Sequence, residues 1–99
     1  MTDEISTARR LVTIVNQKGL HARASAKLAR LAQTLPTKVY VEHDGETADA
    51  SSIMDLLMLA AHQCCEVEIW SEGSEANACL DAVSALIMNG FGELDDPTD

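Results

Sequence analysis

Between Leu11 and Leu35 the apolar residues change their period, and that change constrains the fold more than any other feature of the chain. Over Leu11–Val15 they alternate, the two-residue period of a strand, with Val12 and Ile14 as its inward pair. From Ala22 to Leu35 the positions Ala24, Leu28, Leu31 and Leu35 follow at helical spacing and form one buried stripe. Arg23, Lys27 and Arg30 fall toward the outer side of the same helix. The junction, Asn16–Leu20, carries Gly19 for a turn, and Pro36 stops the helix.

The same two periods continue through the rest of the chain. Lys38–Glu42 alternates, with Val39 and Val41 inward, and Asp44-Gly45 is a hairpin turn signal. The return strand, Glu46–Ala50, places only the small Ala48 and Ala50 inside, which suits a close sheet-to-helix contact. Ser51 or Ser52 caps a second helix whose apolar side is Ile53, Leu56, Leu57 and Ala60, with Asp55 placed as in a short capping box. Glu66–Ser71 is a fourth strand with Val67 and Ile69 inward. Ser74 with Asn77 starts a third helix, along which Ala76, Leu80, Val83 and Ile87 repeat until Asn89-Gly90. The predicted class is therefore α+β: a four-stranded, mainly antiparallel sheet with three helices on one face. Residues 1–10 read as a flexible leader, 11–90 as the domain, and 91–99 as a solvated acidic tail.

Composition narrows the function. Ninety-nine residues allow one core, and with one Phe, one Trp and one Tyr that core must be aliphatic and small. A formal charge of −9 argues against nucleic acid and against an anionic membrane surface. No apolar run reaches spanning length and Met1–Arg10 lacks an apolar signal core, which predicts a cytoplasmic protein. Cys64, Cys65 and Cys79 have no zinc spacing and read as small buried thiols in a reducing compartment.

The chemistry concentrates at Lys18-Gly19-Leu20-His21-Ala22-Arg23-Ala24-Ser25. His21 lies at the mouth of a helix, where free N–H groups and the positive end of the dipole attract an anion. Arg23 adds charge-assisted hydrogen bonds. A neutral imidazole here has a lone pair for phosphorus and immediate stabilisation of the charge it acquires. His43 and His62 lack any such context and read as surface residues.

Gly19-Leu20-His21-Ala22-Arg23 after a first strand, together with Ser51-Ser52-Ile53-Met54 opening the second helix, resembles the HPr family. These are the small phosphocarrier proteins of the bacterial phosphoenolpyruvate-dependent phosphotransferase system. The likeness runs from about Leu11 to Ile87, through all seven elements. It implies an open-faced β-sandwich with strand order 1-4-2-3. It implies that enzyme I phosphorylates His21 on Nδ1, that Arg23 pairs with the phosphoryl group, and that a IIA protein receives it. No metal or organic cofactor is implied, and the chain would be a phosphoryl-transfer intermediate rather than an enzyme with a turnover of its own.

Met54, Leu57 and Met58 read either as core or, as the resemblance implies for the first two, as a docking surface. The expected surface comprises Leu20, Ala22, Arg23, Ala26, Lys27, Arg30, Ile53, Met54 and Leu57, its basic rim steering acidic partners. The family motif has proline after the arginine; Ala24 stands here, so a slightly looser but working centre is expected. His-Ala-Arg-Ala-Ser in an acidic chain looks more like the nitrogen-related branch than the sugar-transport one. Cys64 and Cys65 stand where the family often has glycine, which points to local backbone strain.

Ser52 matches the family's regulatory serine, the target of an HPr kinase/phosphorylase; it also reads as a plain N-cap. A second function therefore stands beside the carrier: a signalling module controlled by phosphorylation of Ser52, with phosphoryl flux secondary. A hydrolase pairing His21 with a cysteine is disfavoured, because no cysteine lies near the motif.

Overall fold

The computed structural model describes residues 7–93. Seven elements follow in the expected order: β1 (Thr7–Thr13), α1 (Ala22–Ala32), β2 (Val39–His43), β3 (Glu46–Asp49), α2 (Ile53–Met58), β4 (Glu66–Glu72) and α3 (Ala76–Met88). A short 3₁₀ turn, Gly90–Gly92, follows α3. The strands form one sheet in the order β1-β4-β2-β3, and every neighbouring pair is antiparallel.

Alternation decides which face is covered. Val12, Val39, Val41, Ala48, Val67 and Ile69 all lie on the helix side and are buried, as is Ala50 just beyond β3. They meet Leu28 of α1, Leu56 of α2, Leu80, Val83 and Ile87 of α3, and Phe91. The other face is open. There Tyr40 and Trp70, partners across β2 and β4, stack at 4.4 Å, and the Arg9 guanidinium lies 5.3 Å from the Trp70 ring centroid. The β2–β3 hairpin turns on Asp44 and Gly45, whose φ values of 53° and 86° are those of a two-residue turn matched to strand twist.

Several boundaries depart from expectation for physical reasons. β1 begins at Thr7, so residues 7–10 belong to the sheet and not to a leader. Ala8 packs on the core beside Val12, while Arg10 between them carries its guanidinium out to Asp81 of α3 at 2.6 Å. α1 ends at Ala32 instead of Leu35, because Leu35 precedes Pro36 and the turn tightens through Thr34 and Leu35 N–H bonds to Leu31 and Ala32 carbonyls. α3 starts at Ala76 after Glu75, not at Ser74. α2 buries Leu56, with Leu59 just after it, and leaves Ile53, Leu57 and Ala60 exposed. So short a helix lying on β3 and α1 covers a narrow stripe, and the remaining apolar side chains face outward. The thiols divide: Cys79 is buried, Cys65 half-buried and Cys64 exposed.

Candidate functional site

The strand-to-helix junction is built by a chain of backbone bonds. Cys64 N–H donates to the Ile14 carbonyl and Ile14 N–H to the Cys65 carbonyl, each at 2.8 Å, tying the 61–65 loop to the end of β1. Gly19 N–H donates to the Asn16 carbonyl, and Leu20 N–H to the Ala61 carbonyl at 3.0 Å. At Cys64 φ is +75°, the left-handed strain expected where a glycine would sit more easily.

His21 is the residue before α1, with extended backbone. Its carbonyl accepts the Ser25 N–H at 2.8 Å, opening the helix, but its side chain makes no capping bond. The His21 side chain thus leaves the first turn of α1 uncapped, and the N–H groups of a helix mouth are the kind of donors that suit an anion. The imidazole is instead turned to the far end of the chain. Its Nε2 lies 2.8 Å from Oε2 of Glu93, a side chain only 3% exposed. Glu93 Oε1 accepts a bond from Asn16 Nδ2 at 3.0 Å, and the same Nδ2 donates to the Gly19 carbonyl at 2.8 Å. Asn16 is fully buried, and its Oδ1 has no hydrogen-bond partner among the described residues, while its Nδ2 serves both Glu93 and the Gly19 carbonyl.

Burial pushes the Glu93 carboxyl up, but the hydrogen bonds from His21 and Asn16, then the charges of His21 and Arg23, outweigh it and hold the group below its ordinary value. A carboxylate that ionises more readily when folded stabilises the fold above the unfolded pKa, and that contribution vanishes as pH falls through the folded one. Urea melts of the native chain and of Glu93→Gln should accordingly diverge above the ordinary carboxylate range and converge on acidification below it.

Phe91 holds Glu93 in place. It is fully buried with φ of +56°, and its carbonyl accepts Lys27 Nζ at 2.7 Å. Phe91 and Glu93 therefore belong to the core and the site, not to a solvated tail. Leu94–Asp99 and Met1–Ser6 lie outside the described residues.

A family model described as "PTS HPr component phosphorylation site" matches residues 8–89. The chain belongs to the HPr family. It is 45% identical over 85 residues to the phosphocarrier protein HPr of Cupriavidus necator, covering 86% of this chain and 96% of that one. It is 39% identical over 84 residues to the phosphocarrier protein NPr of Shewanella violacea, covering 85% and 92%. The crystal structure of an HPr from Thermoanaerobacter tengcongensis superposes with a TM-score of 0.82 at 31% identity, covering 87% and 97%. The four-stranded sheet with three helices is thus the HPr open-faced sandwich.

Within this HPr-family frame, the expected docking residues separate. Ala22, Arg23 and Arg30 are exposed on α1, and Ile53, Met54 and Leu57 on α2, with Met58 beside them. Ala26 is half-buried. Leu20 is 5% exposed and belongs to the core, so its side chain offers no docking surface. Lys27 is half-buried and bonded to the Phe91 carbonyl, which removes it from the steering rim. Ala24, in place of the family proline, is fully buried within an α1 that begins at Ala22 regardless.

Ser52 caps α2, its Oγ accepting the Asp55 N–H at 3.2 Å. Upstream, Asp49 Oδ1 accepts both the Ser51 hydroxyl at 2.7 Å and the Ser51 N–H at 2.9 Å. Ser52→Ala removes the only side-chain cap described on so short a helix and should lower stability by about 1 kcal/mol, read as a drop in the urea midpoint.

The rings of His43 and His62 have partners other than the His21 site. His43 Nδ1 lies 3.0 Å from the Leu59 carbonyl, and His62 Nε2 lies 3.2 Å from Cys65 Sγ. Among the described residues no cluster of His, Cys, Asp or Glu could hold a metal, and no helix is long and apolar enough to cross a membrane. Sequence reasoning missed Asn16 and Glu93. A signal was present for the second: the only Phe of the chain stands two residues before Glu93, an apolar anchor inside what looked like a polar tail.

Proposed function

We propose that this HPr-family chain accepts a phosphoryl group on His21 from phosphorylated enzyme I and passes it to a IIA-type protein. One observation carries the reading: the His21 ring stands at the mouth of α1, its Nε2 engaged by buried Glu93 and its Nδ1 left for phosphorus. The lone pair of Nδ1 attacks the phosphoryl group of the donor, whose bond to phosphorus breaks with its electron pair. The three phosphoryl oxygens then meet the first-turn N–H groups of α1 and the Arg23 guanidinium. The backbone donors are fixed by the helix before the group arrives, so they need little reorganisation during transfer. A nitrogen–phosphorus bond is labile enough to be passed on, which a phosphoserine is not.

The exposed apolar residues of α2, Ile53, Met54 and Leu57, with Ala22 and Arg30 of α1, supply the surface that both partners share in turn. Methionine adapts to differently shaped surfaces, which suits one patch with two partners.

Incubation with phosphoenolpyruvate and a competent enzyme I should add one acid-labile phosphoryl group to the native chain, seen by intact-protein mass spectrometry. An unmodified chain under those conditions would overturn the proposal.

A further inference from the structure

We infer that Glu93 is a positioning residue for phosphoryl transfer: its buried carboxylate keeps the His21 ring proton on Nε2 throughout the cycle, directing the phosphoryl group to Nδ1. This rests on His21 being the phosphoacceptor. A carboxylate only accepts hydrogen bonds, so at 2.8 Å the Nε2 atom must be the donor. In a neutral ring the lone pair then belongs to Nδ1.

The carboxylate cannot swing away freely. Asn16 Nδ2 holds its second oxygen at 3.0 Å, and Asn16 is itself fixed by the Gly19 carbonyl. Behind it, buried Phe91 and the bond from Lys27 Nζ anchor the backbone that carries it. The other charged groups brought to this pair are Arg23 and Lys27, both from α1.

The step balances without an added proton. Nδ1 donates its lone pair to phosphorus, the donor's bond to phosphorus breaks, and its electron pair stays with the donor. The ring now carries a positive charge, with hydrogen still on Nε2, and the Glu93 carboxylate faces that charge directly. When an acceptor attacks phosphorus, the electron pair returns to Nδ1 and the neutral ring is restored. No proton enters or leaves in either direction, so transfer runs reversibly without waiting on solvent.

Glu93→Gln keeps an acceptor oxygen but removes the charge, so it separates electrostatics from shape. Phosphorylated native and variant proteins should be isolated and their decay followed by phosphorus NMR across pH. Decay speeds up where the ring is protonated, so its inflection reports the Nε2 proton of the phosphorylated state. We expect the variant to take up the phosphoryl group and its inflection to fall by about one pH unit. An unchanged or raised inflection in a phosphorylated variant would overturn the inference while leaving the carrier reading intact. A native chain that takes up nothing would remove both.

Should the variant fail to fold, the native chain decides alone. Nitrogen-15 spectra of the unphosphorylated ring at mildly alkaline pH must show hydrogen on Nε2 with slowed exchange. A ring carrying its hydrogen chiefly on Nδ1 would overturn the inference.

Discussion

Replacing His21 with alanine should abolish phosphoryl uptake completely while leaving the sheet and helices in place. The expectation follows from what the side chain does and does not hold. It makes no capping bond, so α1 starts as before, and alanine loses nothing there that the helix used. What disappears is the only imidazole at the helix mouth. His43 is occupied with the Leu59 carbonyl, and His62 with Cys65 on the loop beyond Gly19. Neither stands among first-turn N–H groups. The variant leaves Glu93 buried with Asn16 as its remaining hydrogen-bond donor, which should cost about 1–3 kcal/mol of stability. Intact mass after treatment with phosphoenolpyruvate and enzyme I measures the first effect, and urea unfolding the second. An acid-labile phosphoryl group on the variant would place the acceptor at another histidine.

Gly19→Ala should be far more damaging than the same substitution at Gly45. Gly19 has φ of +62°, a region that already costs a residue with a Cβ roughly 1–2 kcal/mol. Here the Cβ would also lie 2.5 Å from the Ala61 carbonyl oxygen and 2.6 Å from His62 Cα. Both are backbone atoms, and Ala61 is the acceptor for Leu20 N–H, so neither can retreat without breaking the junction that presents His21. A loss of about 3–4 kcal/mol is expected, with impaired phosphoryl uptake in whatever remains folded. Gly45→Ala is the control. Its φ is +86° but nothing lies within 4 Å of an added Cβ, so only the conformational cost of about 1 kcal/mol should appear. Equal losses in urea melts of the two variants would refute the steric argument.

What could be read from residues alone was whatever local spacing determines. The switch of period around Gly19, the Asp44-Gly45 turn and the inward alanines of β3 each act over a few residues, and together they order the elements. The positions of His21 and Arg23 at the start of α1 were legible because a helix mouth is a local object. Positions governed by distant partners were not. Arg10 breaks the alternation of β1, and its bonds to Asp81 and the Asn77 carbonyl of α3 explain why an arginine belongs there. Lys27 reads as a solvated cation until Phe91 folds back against it. Ile53 and Leu57 look like core until the length of α2 shows how little it can cover. Glu93 looks like one more acidic residue in an acidic segment, yet its partners lie 72 and 77 residues upstream.

That separation has a consequence for when the protein becomes competent. A chain made from its N-terminus exposes His21 and Arg23 early, and the helix mouth could form while most of the sequence is still unmade. The carboxylate arrives after β4 and α3, as one of the last contacts to close, and brings the two ends of the domain together. Loop closure over such a span is entropically costly until the sheet has already drawn the ends near. The bond between His21 and Glu93 is therefore open only to a chain folded through α3. A nascent or clipped chain would carry the histidine without the carboxylate, and its ring would lack the Nε2 contact that the finished fold provides.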